Sequence, residues 1–331
     1  MRMGRKLRQR RGGGKGRETC ACFGTSAGWL READTMSIKT QELHPGFVAE
    51  ASFTDLSAAL NEDAITSIQA AIDAYPVLVF RNQCLTDAQL RDFAARFGPL
   101  EIGRSAARPG RRRLAIPQIG DISNLDEDNA VRALDDRRRL DSMGNRLWHT
   151  DASYMPVPVV LGLLHAVTLP PPSPFGNGET EFADMRAAYD DLPQETKDAV
   201  DPLTAEHDVF WSRGQVGFTE FPSGEREQYP PSRQRLVRRH PVTGRKSLYL
   251  SAHASHITGW PVADGRLLLF DLNTHATQRQ FVYRHTWRVG DLVIWDNRWT
   301  MHRGRPHDES KPRDLRRATT LDTGSSLEEA T

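Results

Sequence analysis

Apolar residues recur along this chain at two spacings, and each spacing predicts a kind of secondary structure. Over residues 63–75 and 86–97 they follow the period of an amphipathic helix, and the second segment opens on Thr86 as a capping residue. The continuous apolar run at residues 77–80 predicts a buried strand between these helices. The first third of the chain therefore combines a strand with two helices that brace a sheet.

Beyond residue 118 the pattern favours short strands separated by turns. Two further helices are predicted at residues 185–192 and 193–200, whereas segment 212–235 carries many Gly, Pro and charged residues and predicts a loop. Strands are expected at residues 119–125 and 157–167 and around Leu248, Val282, Leu292 and Ala318. A mainly β chain with flanking helices indicates two facing antiparallel sheets, which is the jelly-roll architecture.

Charge separates the first 35 residues from the rest. They hold nine of the 44 Lys and Arg residues, three of the 43 acidic residues and no apolar periodicity, so residues 1–35 are predicted to be a disordered basic extension. Without them, 35 basic and 40 acidic residues give a net charge of −5. We expect residues 36–325 to form a single domain.

Cysteine content and hydropathy bear on location. Three cysteines, two of them in Cys20-Ala-Cys22, cannot build a disulfide framework, and without a second pair they make no zinc site. No run of 18 apolar residues occurs, and the N-terminus lacks the apolar core of a signal peptide. We therefore expect a cytoplasmic protein without a membrane partner.

The candidate chemistry starts at residues 146–151, where an imidazole and a carboxylate lie two positions apart. Alternate side chains of a strand share a face, so His149 and Asp151 would point the same way. One more histidine would complete the facial set of two histidines and one carboxylate that holds non-haem Fe(II) and leaves positions open for O₂ and substrates. Segment 287–302 provides it, because a turn and an apolar strand lead to His302.

Arg313 follows this histidine, with Arg317 four positions later. A guanidinium pairs with a carboxylate through two hydrogen bonds, which suits a dicarboxylate cosubstrate that is anchored by its distal end. We therefore expect Arg313 to bind such a cosubstrate.

Six ordered stretches resemble the taurine and 2,4-dichlorophenoxyacetate dioxygenases, which use Fe(II) and 2-oxoglutarate. Between about Leu43 and Asp322 they are Pro76-Val-Leu-Val-Phe-Arg-Asn-Gln83, Phe93-Ala-Ala-Arg-Phe-Gly-Pro99, Trp148-His-Thr-Asp151, Gly178-Glu-Thr-Glu-Phe-Ala-Asp-Met185, His240-Pro-Val-Thr-Gly-Arg-Lys-Ser-Leu-Tyr249 and Trp295-Asp-Asn-Arg-Trp-Thr-Met-His302. The sequence from Met36 is also similar to the start of family members. We therefore expect translation to begin there, which would make residues 1–35 a non-native extension.

The resemblance implies a double-stranded β-helix and assigns the site. It makes His149, Asp151 and His302 the iron ligands, and it implies no catalytic side chain beyond this metal centre. It also implies that Thr180 and Arg313 bind the distal carboxylate of 2-oxoglutarate.

One further residue agrees with the family pattern, and one loop departs from it. Arg317 matches a second family arginine near the active site. The loop before Thr180 departs from the family, because Gly176-Asn-Gly178 stands where a Gly-Gly pair is usual. Residues 181–185 nevertheless fix the register, so Thr180 keeps its assignment.

The resemblance also implies a reaction. With O₂, 2-oxoglutarate is converted to succinate and CO₂ while a C–H bond of a small carboxylic acid is hydroxylated, and ascorbate is expected to help in vitro. Residues 145–153 and Asn124-Leu-Asp are most similar to the phenoxyacetate branch, which implies ether cleavage to a phenol and glyoxylate. A taurine-like sulfonate or another small acid is the alternative substrate, and a homo-oligomer is expected.

Two other classes fit parts of the sequence. A non-catalytic metal-binding jelly roll would keep the three ligands but would not need Arg313. A nucleic-acid binder would use residues 1–17, which contain no interleaved aromatic residues, so no nucleic-acid partner is expected.

Other polar features receive a structural interpretation. The basic run at residues 104–113 is expected to be a mobile loop, either solvated or able to attract an acidic substrate. The histidines outside the ligand set are interpreted as structural groups: His207, His240, His253 and His256.

Overall fold

The computed structural model describes residues 38–52, 55–104 and 112–328, which form a chain of short strands with helices between them. The strands are β1 (Lys39–His44), β2 (Val48–Ser52), β3 (Val77–Phe80), β4 (Gly120–Ser123), β5 (Val159–Thr168), β6 (Thr180–Asp184), β7 (Thr204–His207), β8 (Ser232–Arg235), β9 (Val237–Arg239), β10 (Lys246–Leu248), β11 (Ala254–Ile257), β12 (Val282–His285), β13 (Leu292–Asp296), β14 (Thr300–Gly304) and β15 (Asp314–Leu321). The helices are α1 (Glu62–Ala74), α2 (Asp87–Ala94), α3 (Arg137–Ser142), α4 (Met185–Asp190), α5 (Gln194–Val200), α6 (Val209–Gly214), α7 (Glu225–Gln228) and α8 (Val262–Ala276), with 3-10 turns at Ala95–Phe97, Met143–Arg146, Arg279–Phe281 and Ser326–Glu328.

Seven strands form the largest sheet, in the order β1-β2-β3-β13-β5-β15-β4. Its pairs are antiparallel except β2 with β3. Three smaller sheets have the orders β12-β6-β14, β11-β7-β8 and β10-β9. The mainly β character with flanking helices that the sequence predicted is therefore confirmed.

Helices α1 and α2 cover one face of the large sheet. Ile68 and Ile72 of α1 and Leu90 of α2 are buried there against strand residues such as Leu78 and Ile294. Because apolar side chains on one helical stripe and one strand face are removed from water together, this contact stabilises this side of the sheet.

Local sequence sets the start of both helices. Asn61 accepts a hydrogen bond from the backbone N–H of Ala64. At α2, the Thr86 hydroxyl accepts from Gln89 N while Thr86 N donates to the Gln89 side chain, which is the reciprocal capping box. The predicted helix boundaries at residues 63–75 and 86–97 differ from the observed ones by a residue or by the change to a 3-10 turn.

The opposite face of the large sheet packs against the sheet of β6. Phe182 of β6 is buried beside Val293 and Trp295 of β13 and Leu164 of β5. Strand β6 also pairs with β14, where Phe182 is opposite His302. This packing fixes His302 between the two sheets.

The segment at residues 212–235 differs from the predicted loop. It contains the end of α6, helix α7 and strand β8. Phe218 is buried there, and Phe221 packs edge-on against both Phe210 and Phe218. Three aromatic residues spread over twelve positions gave no regular period, so the pattern did not reveal this small cluster.

Two predictions concern residues that lie wholly or partly outside the described ranges. The basic extension predicted at residues 1–35 lies outside the described residues, as do positions 105–111 of the basic run. The ends of that run are not solvated, because Arg104 and Arg113 are both buried in ion pairs. No helix within the described ranges has the length and apolar character needed to cross a membrane.

Candidate metal centre and its two cavities

His149, Asp151 and His302 converge at one buried point. Their candidate ligand atoms all lie within 4.8 Å of one another. The Asp151 carboxylate oxygens are 3.8 Å from Nε2 of His149 and 3.6 Å from Nε2 of His302. Two imidazoles and one carboxylate on one side of a site form the facial set that the spacing of these residues predicted.

The route to this geometry differs from the predicted strand. His149 pairs with His302 through an isolated antiparallel bridge, with backbone hydrogen bonds of 3.0 and 2.9 Å. The chain then turns, and Ala152 adopts a positive φ of 43°. The carboxylate of Asp151 is therefore aimed by a turn and not by strand alternation. The side-by-side placement of early and late strands, which was expected, brings the two histidines together.

A buried amide supports the turn at Asp151. Asn297 Oδ1 accepts from Asp151 N at 3.1 Å and from Trp295 Nε1 at 3.2 Å. The Trp295 ring lies against the backbone of Gly162, where a Cβ atom would be only 2.3 Å from the ring. Asn297, which directly follows β13, thus holds the backbone of Asp151, and Gly162 in β5 leaves room for the Trp295 ring.

The protonation states suit a divalent cation. Burial lowers the pKa of His149 and lowers that of His302 to about 3. Burial alone would raise the pKa of Asp151, but the neighbouring Arg317, with smaller contributions from His302 and His149, lowers it further than burial raises it. At neutral pH the site therefore offers two neutral imidazoles and one carboxylate, the forms that bind metal.

Two atoms indicate that a metal ion fits. Asp151 Oδ2 is buried and has no hydrogen-bond partner, although it faces His302. The Nδ1–H of His149 donates to the carbonyl of Leu147 at 2.8 Å, which leaves Nε2 as the coordinating nitrogen. A buried carboxylate oxygen without a partner is costly unless a ligand satisfies it, so the residues present fit a metal.

A cavity of about 140 Å³ leads from the histidines to Thr180 and Arg313. The Thr180 hydroxyl accepts from Trp287 Nε1 at 3.0 Å, which leaves its own hydrogen for an acceptor in the cavity. Arg313 donates to the carbonyl of Gly178 at 3.1 Å. The two residues expected to bind the cosubstrate therefore line one cavity together.

Arg313 carries an uncompensated charge in this cavity. Its Nε is buried without a hydrogen-bond partner, and no carboxylate in the described ranges forms an ion pair with it. Burial lowers its pKa to about 10, and only the more distant Glu309 raises it. A carboxylate ligand would satisfy both the charge and the free donor.

The loop that departs from the family is fitted closely to its neighbours. Gly178 has a φ of +69°, and an added Cβ would be 3.0 Å from Arg313 Nε. Gly176 lies so close to the carbonyl of Pro306 that a Cβ would be 2.2 Å away, and Asn177 forms an isolated bridge with His307. A side chain at either glycine would displace a neighbour. Asn177 lies between the two glycines and leaves the contact of Gly178 with Arg313 in place.

Arg317 differs from Arg313 by its partner. Its Nη1 donates to Asp151 Oδ1 at 2.6 Å, and it lines both this cavity and a second one. Burial on its own lowers the pKa of Arg317, but Asp151 and Glu101 raise it by more. The expected further active-site arginine is thus in contact with a candidate ligand.

The second cavity, of about 200 Å³, opens beside His149 and Asp151. Its lining includes the apolar side chains of Leu114, Ile116 and Ile119. The lining also includes the rings of His253 and Tyr154, whose centroids are 4.9 Å apart. Apolar side chains and aromatic rings in one cavity suit a flat apolar group.

His253 was interpreted from sequence as structural, but it borders this cavity and its ring is 6.4 Å from that of His149. The spacing of His253 and His256 in this segment carried no signal of a site. The structural interpretation is confirmed for His207, which hydrogen-bonds to Ser153 at 2.9 Å, and for His240, whose Nδ1 accepts from Val242 N. His256 lies in β11 and bonds Ser255.

Comparison with known proteins extends the resemblance over most of the chain. The profile of the family described as taurine catabolism dioxygenase TauD, TfdA family matches residues 39–319. A relative from Cupriavidus pinatubonensis named alpha-ketoglutarate-dependent 2,4-dichlorophenoxyacetate dioxygenase is 46% identical over 287 residues, covering 87% of this chain and 99% of the relative.

A second relative and a solved structure are also similar to this chain. An (S)-phenoxypropionate/alpha-ketoglutarate dioxygenase from Sphingobium herbicidovorans is 37% identical, with 77% of this chain and 85% of the relative covered. The crystal structure of AAD-2 in complex with Mn(II) and N-oxalylglycine superposes with a TM-score of 0.83 at 46% identity, covering 88% of this chain and all of that one. The chain belongs to the TauD, TfdA family of dioxygenases, as its motifs predicted.

Proposed function

We propose that the protein is an Fe(II)- and 2-oxoglutarate-dependent dioxygenase that cleaves the ether of aryloxyacetic acids to a phenol and glyoxylate. The observation that carries this proposal is the cavity that joins His149 and His302 to the uncompensated guanidinium of Arg313. A metal-binding jelly roll without turnover would not need that buried cation.

His149, Asp151 and His302 would hold the iron, because their ligand atoms converge and Asp151 Oδ2 lacks a partner. Bound Fe(II) supplies the activation of O₂, and ascorbate would keep it reduced in vitro. Asn297 holds the turn of Asp151, and Arg317 fixes the carboxylate oxygen that does not face His302. These contacts orient the ligands before the metal arrives.

Thr180 and Arg313 would bind the distal carboxylate of 2-oxoglutarate. Arg313 provides the charge, and the Thr180 hydroxyl provides a hydrogen-bond donor, because Trp287 already fills its acceptor role. The dimensions and charge of this cavity suit a small dianion whose other end reaches the histidines.

The primary substrate would occupy the second cavity. Arg317 uses one nitrogen for Asp151, and its remaining donors are available to a substrate carboxylate near the metal. Leu114, Ile119 and the ring of His253 would enclose an aromatic ring. The names of the relatives from Cupriavidus and Sphingobium support a phenoxy acid over a sulfonate.

The proposed reaction uses one O₂ and one 2-oxoglutarate for each substrate molecule. They yield succinate, CO₂ and a hydroxylated substrate, whose new C–OH lies on the carbon between the ether oxygen and the carboxylate. This hemiacetal loses the phenol and leaves glyoxylate. The chain itself positions the C–H bond and excludes water, because the ligand atoms and Asp151 are buried.

We also propose that residues 36–325 form one double-stranded β-helix. The packing of the β12-β6-β14 sheet on the seven-stranded sheet, through Phe182 and Trp295, supports this arrangement.

A substrate panel tests the proposed activity. The purified protein with Fe(II), ascorbate and 2-oxoglutarate is given phenoxyacetate, 2,4-dichlorophenoxyacetate, phenoxypropionate enantiomers and taurine, and succinate and phenol are quantified. We expect the highest kcat/KM for an aryloxyacetate. A higher kcat/KM for taurine would reject the substrate class while leaving the dioxygenase assignment in place.

A further inference from the structure

The cavity beside the metal site contains a second charged cluster that the proposed reaction does not use. Arg104 donates to both carboxylate oxygens of Asp141, at 2.7 and 2.8 Å, and to Glu225 at 3.0 Å. Arg213 donates to the same Asp141 through Nε at 3.1 Å. Arg104, Asp141 and Arg213 all line this second cavity. We call Arg104, Asp141, Arg213 and Glu225 the distal cluster.

Arg213 is the member with unused hydrogen-bonding capacity. A guanidinium has five N–H donors. Besides the bond to Asp141, Arg213 makes one contact of 3.3 Å to the Ser212 hydroxyl, which leaves three N–H groups without an acceptor in the described part of the chain. Its side chain is only 11% exposed. Donors that line a cavity favour a ligand that can accept from them.

The electrostatic surroundings of Arg213 also favour a bound acceptor. Burial lowers the pKa of Arg213 by more than Asp141 raises it, and the charge of Arg104 lowers it further. Asp141 has to serve both arginines. An acceptor or anion from a ligand would therefore stabilise Arg213 in its charged form.

The position of Arg213 is fixed. Its guanidinium lies on the backbone of Gly144, where an added Cβ would be 2.2 Å from Nη1. Asp141 holds it from α3, and the residue itself lies in α6. A donor that is held on both sides can select a ligand by geometry.

The distal cluster is separate from the metal carboxylate. Arg317 bonds Asp151, whereas Arg213 is held by Asp141 and has no ion pair with Asp151. From His149 the rings of His253 and Tyr154 follow one another, with centroid separations of 6.4 and 4.9 Å. Arg213 acts electrostatically on His149, His253 and Tyr154, so its guanidinium lies beside this row of rings.

We propose that Arg213 selects aryloxyacetic acids whose ring carries a hydrogen-bond acceptor, such as a nitro or carboxylate group, over those with a halogen at the same position. This inference rests on the proposed function. The substrate carboxylate lies at Arg317, the ring lies between Ile119 and the rings of His253 and Tyr154, and the ring substituent accepts from Arg213. A chlorine atom is a poor acceptor and leaves those donors unpaired.

The test compares matched substrates. Phenoxyacetates with nitro, carboxylate, chloro or hydrogen at the meta or para position are assayed for phenol release, and their dissociation constants are measured without O₂ by titration calorimetry. For the better ring position we expect the nitro or carboxylate compound to bind at least about 10-fold more tightly than the chloro compound, the increment of one hydrogen bond to a charged donor.

Arg213→Met provides the decisive variant, because Asp141 keeps Arg104 as its partner and no carboxylate is left unpaired. We expect the preference of about 10-fold to fall below about 2-fold, while unsubstituted phenoxyacetate changes by less than about 3-fold. Arg213→Lys should retain part of the preference. Arg245→Met, at an exposed arginine paired with Asp190, is the matched control and should retain all of it.

Two binding patterns would overturn the inference. One is a wild-type protein that binds chloro and nitro compounds equally. The other is an Arg213→Met protein that weakens all phenoxyacetates alike, since Arg213 would then hold the common carboxylate or the cavity wall. Binding preference without phenol release would reject the proposed ether cleavage and retain the ligand selection by Arg213. Thermal unfolding of each variant identifies a loss of fold.

Discussion

Arg313 and Arg317 lie four residues apart, one just before β15 and one inside it, yet their surroundings differ. Arg317 has a carboxylate partner at 2.6 Å, and its pKa is raised although burial alone would lower it. Among the described residues, the Arg313 guanidinium bonds only the carbonyl of Gly178, and burial lowers its pKa to about 10. The same side chain is thus neutralised in one position and left uncompensated four residues away.

The difference assigns two roles to two arginines that the sequence alone could not separate. A buried cation without a counter-charge is costly, and a diacid cosubstrate would offset that cost only when bound. An arginine that already holds Asp151 belongs to the metal site. The comparison therefore predicts that changes at the two positions weaken the binding of different ligands.

The largest effect is expected from Asp151→Ala, which removes the carboxylate of the candidate metal site. Turnover should be abolished, and Mn(II) affinity, measured by titration calorimetry, should fall sharply, because a facial set needs its carboxylate. The fold should persist, because residue 151 keeps its backbone hydrogen bond to Asn297 and the variant breaks a single ion pair, the one with Arg317. Asp198→Ala, at an exposed acid of α5, is the control. Wild-type-like turnover would remove Asp151 from the ligand set.

Arg313→Ala should come next. Truncating one partner of a desolvated charge pair costs about 2–5 kcal/mol, so the dissociation constant for 2-oxoglutarate should rise by at least about 30-fold. Metal affinity without cosubstrate should change little. An unchanged affinity for 2-oxoglutarate would reject the role of Arg313 and transfer it to Arg317.

Arg317→Met should produce the reverse pattern. Loss of a hydrogen-bonded partner of a metal ligand typically lowers metal affinity by about 10–100-fold. We expect Mn(II) affinity to fall in this range, because Asp151 loses the guanidinium that lowers its pKa, and 2-oxoglutarate affinity to fall less than in Arg313→Ala. Equal losses of 2-oxoglutarate affinity in both variants would invalidate the comparison.

Gly178→Ala is the mildest test. The added methyl group would lie 3.0 Å from Arg313 Nε on a backbone with φ of +69°, so both strain and displacement of the guanidinium are expected. A strain cost of about 1 kcal/mol applies to any such glycine. Gly244 has a φ of +67° and open space around its Cβ position, which makes Gly244→Ala a matched control for strain.

The two variants should lose similar thermal stability, and only Gly178→Ala should lose 2-oxoglutarate affinity, by several-fold. Similar affinities for 2-oxoglutarate in both would show that Arg313 is not constrained by this loop.

Local features of the sequence predicted much of the fold. The apolar run of β3 and the Thr86 cap of α2 act within a few residues, so period and capping rules identify them. The sequence before His302 also predicted the strand that is β13, because a turn and an apolar run lead up to this histidine. These parts depend on short-range physics that a single sequence contains.

The rest depends on contacts between distant residues. Asp151 is aimed by a turn that Asn297 supports from 146 positions away, and Arg213 finds Asp141 across 72 positions. Neither pair has a sequence spacing that marks it. Arg104 likewise was expected to belong to a solvated basic run, because its partners Asp141 and Glu225 are brought to it only by the fold.

The stoichiometry of the reaction with phenoxyacetate tests the central claim most directly. Phenol, glyoxylate, succinate and CO₂ are quantified against 2-oxoglutarate consumed, with Fe(II) and ascorbate supplied. The account predicts one of each product per 2-oxoglutarate, with none in Asp151→Ala. Succinate formed without phenol would mean that phenoxyacetate is not the substrate held in the second cavity, and absence of both products with every aryloxyacetate would contradict the proposed function.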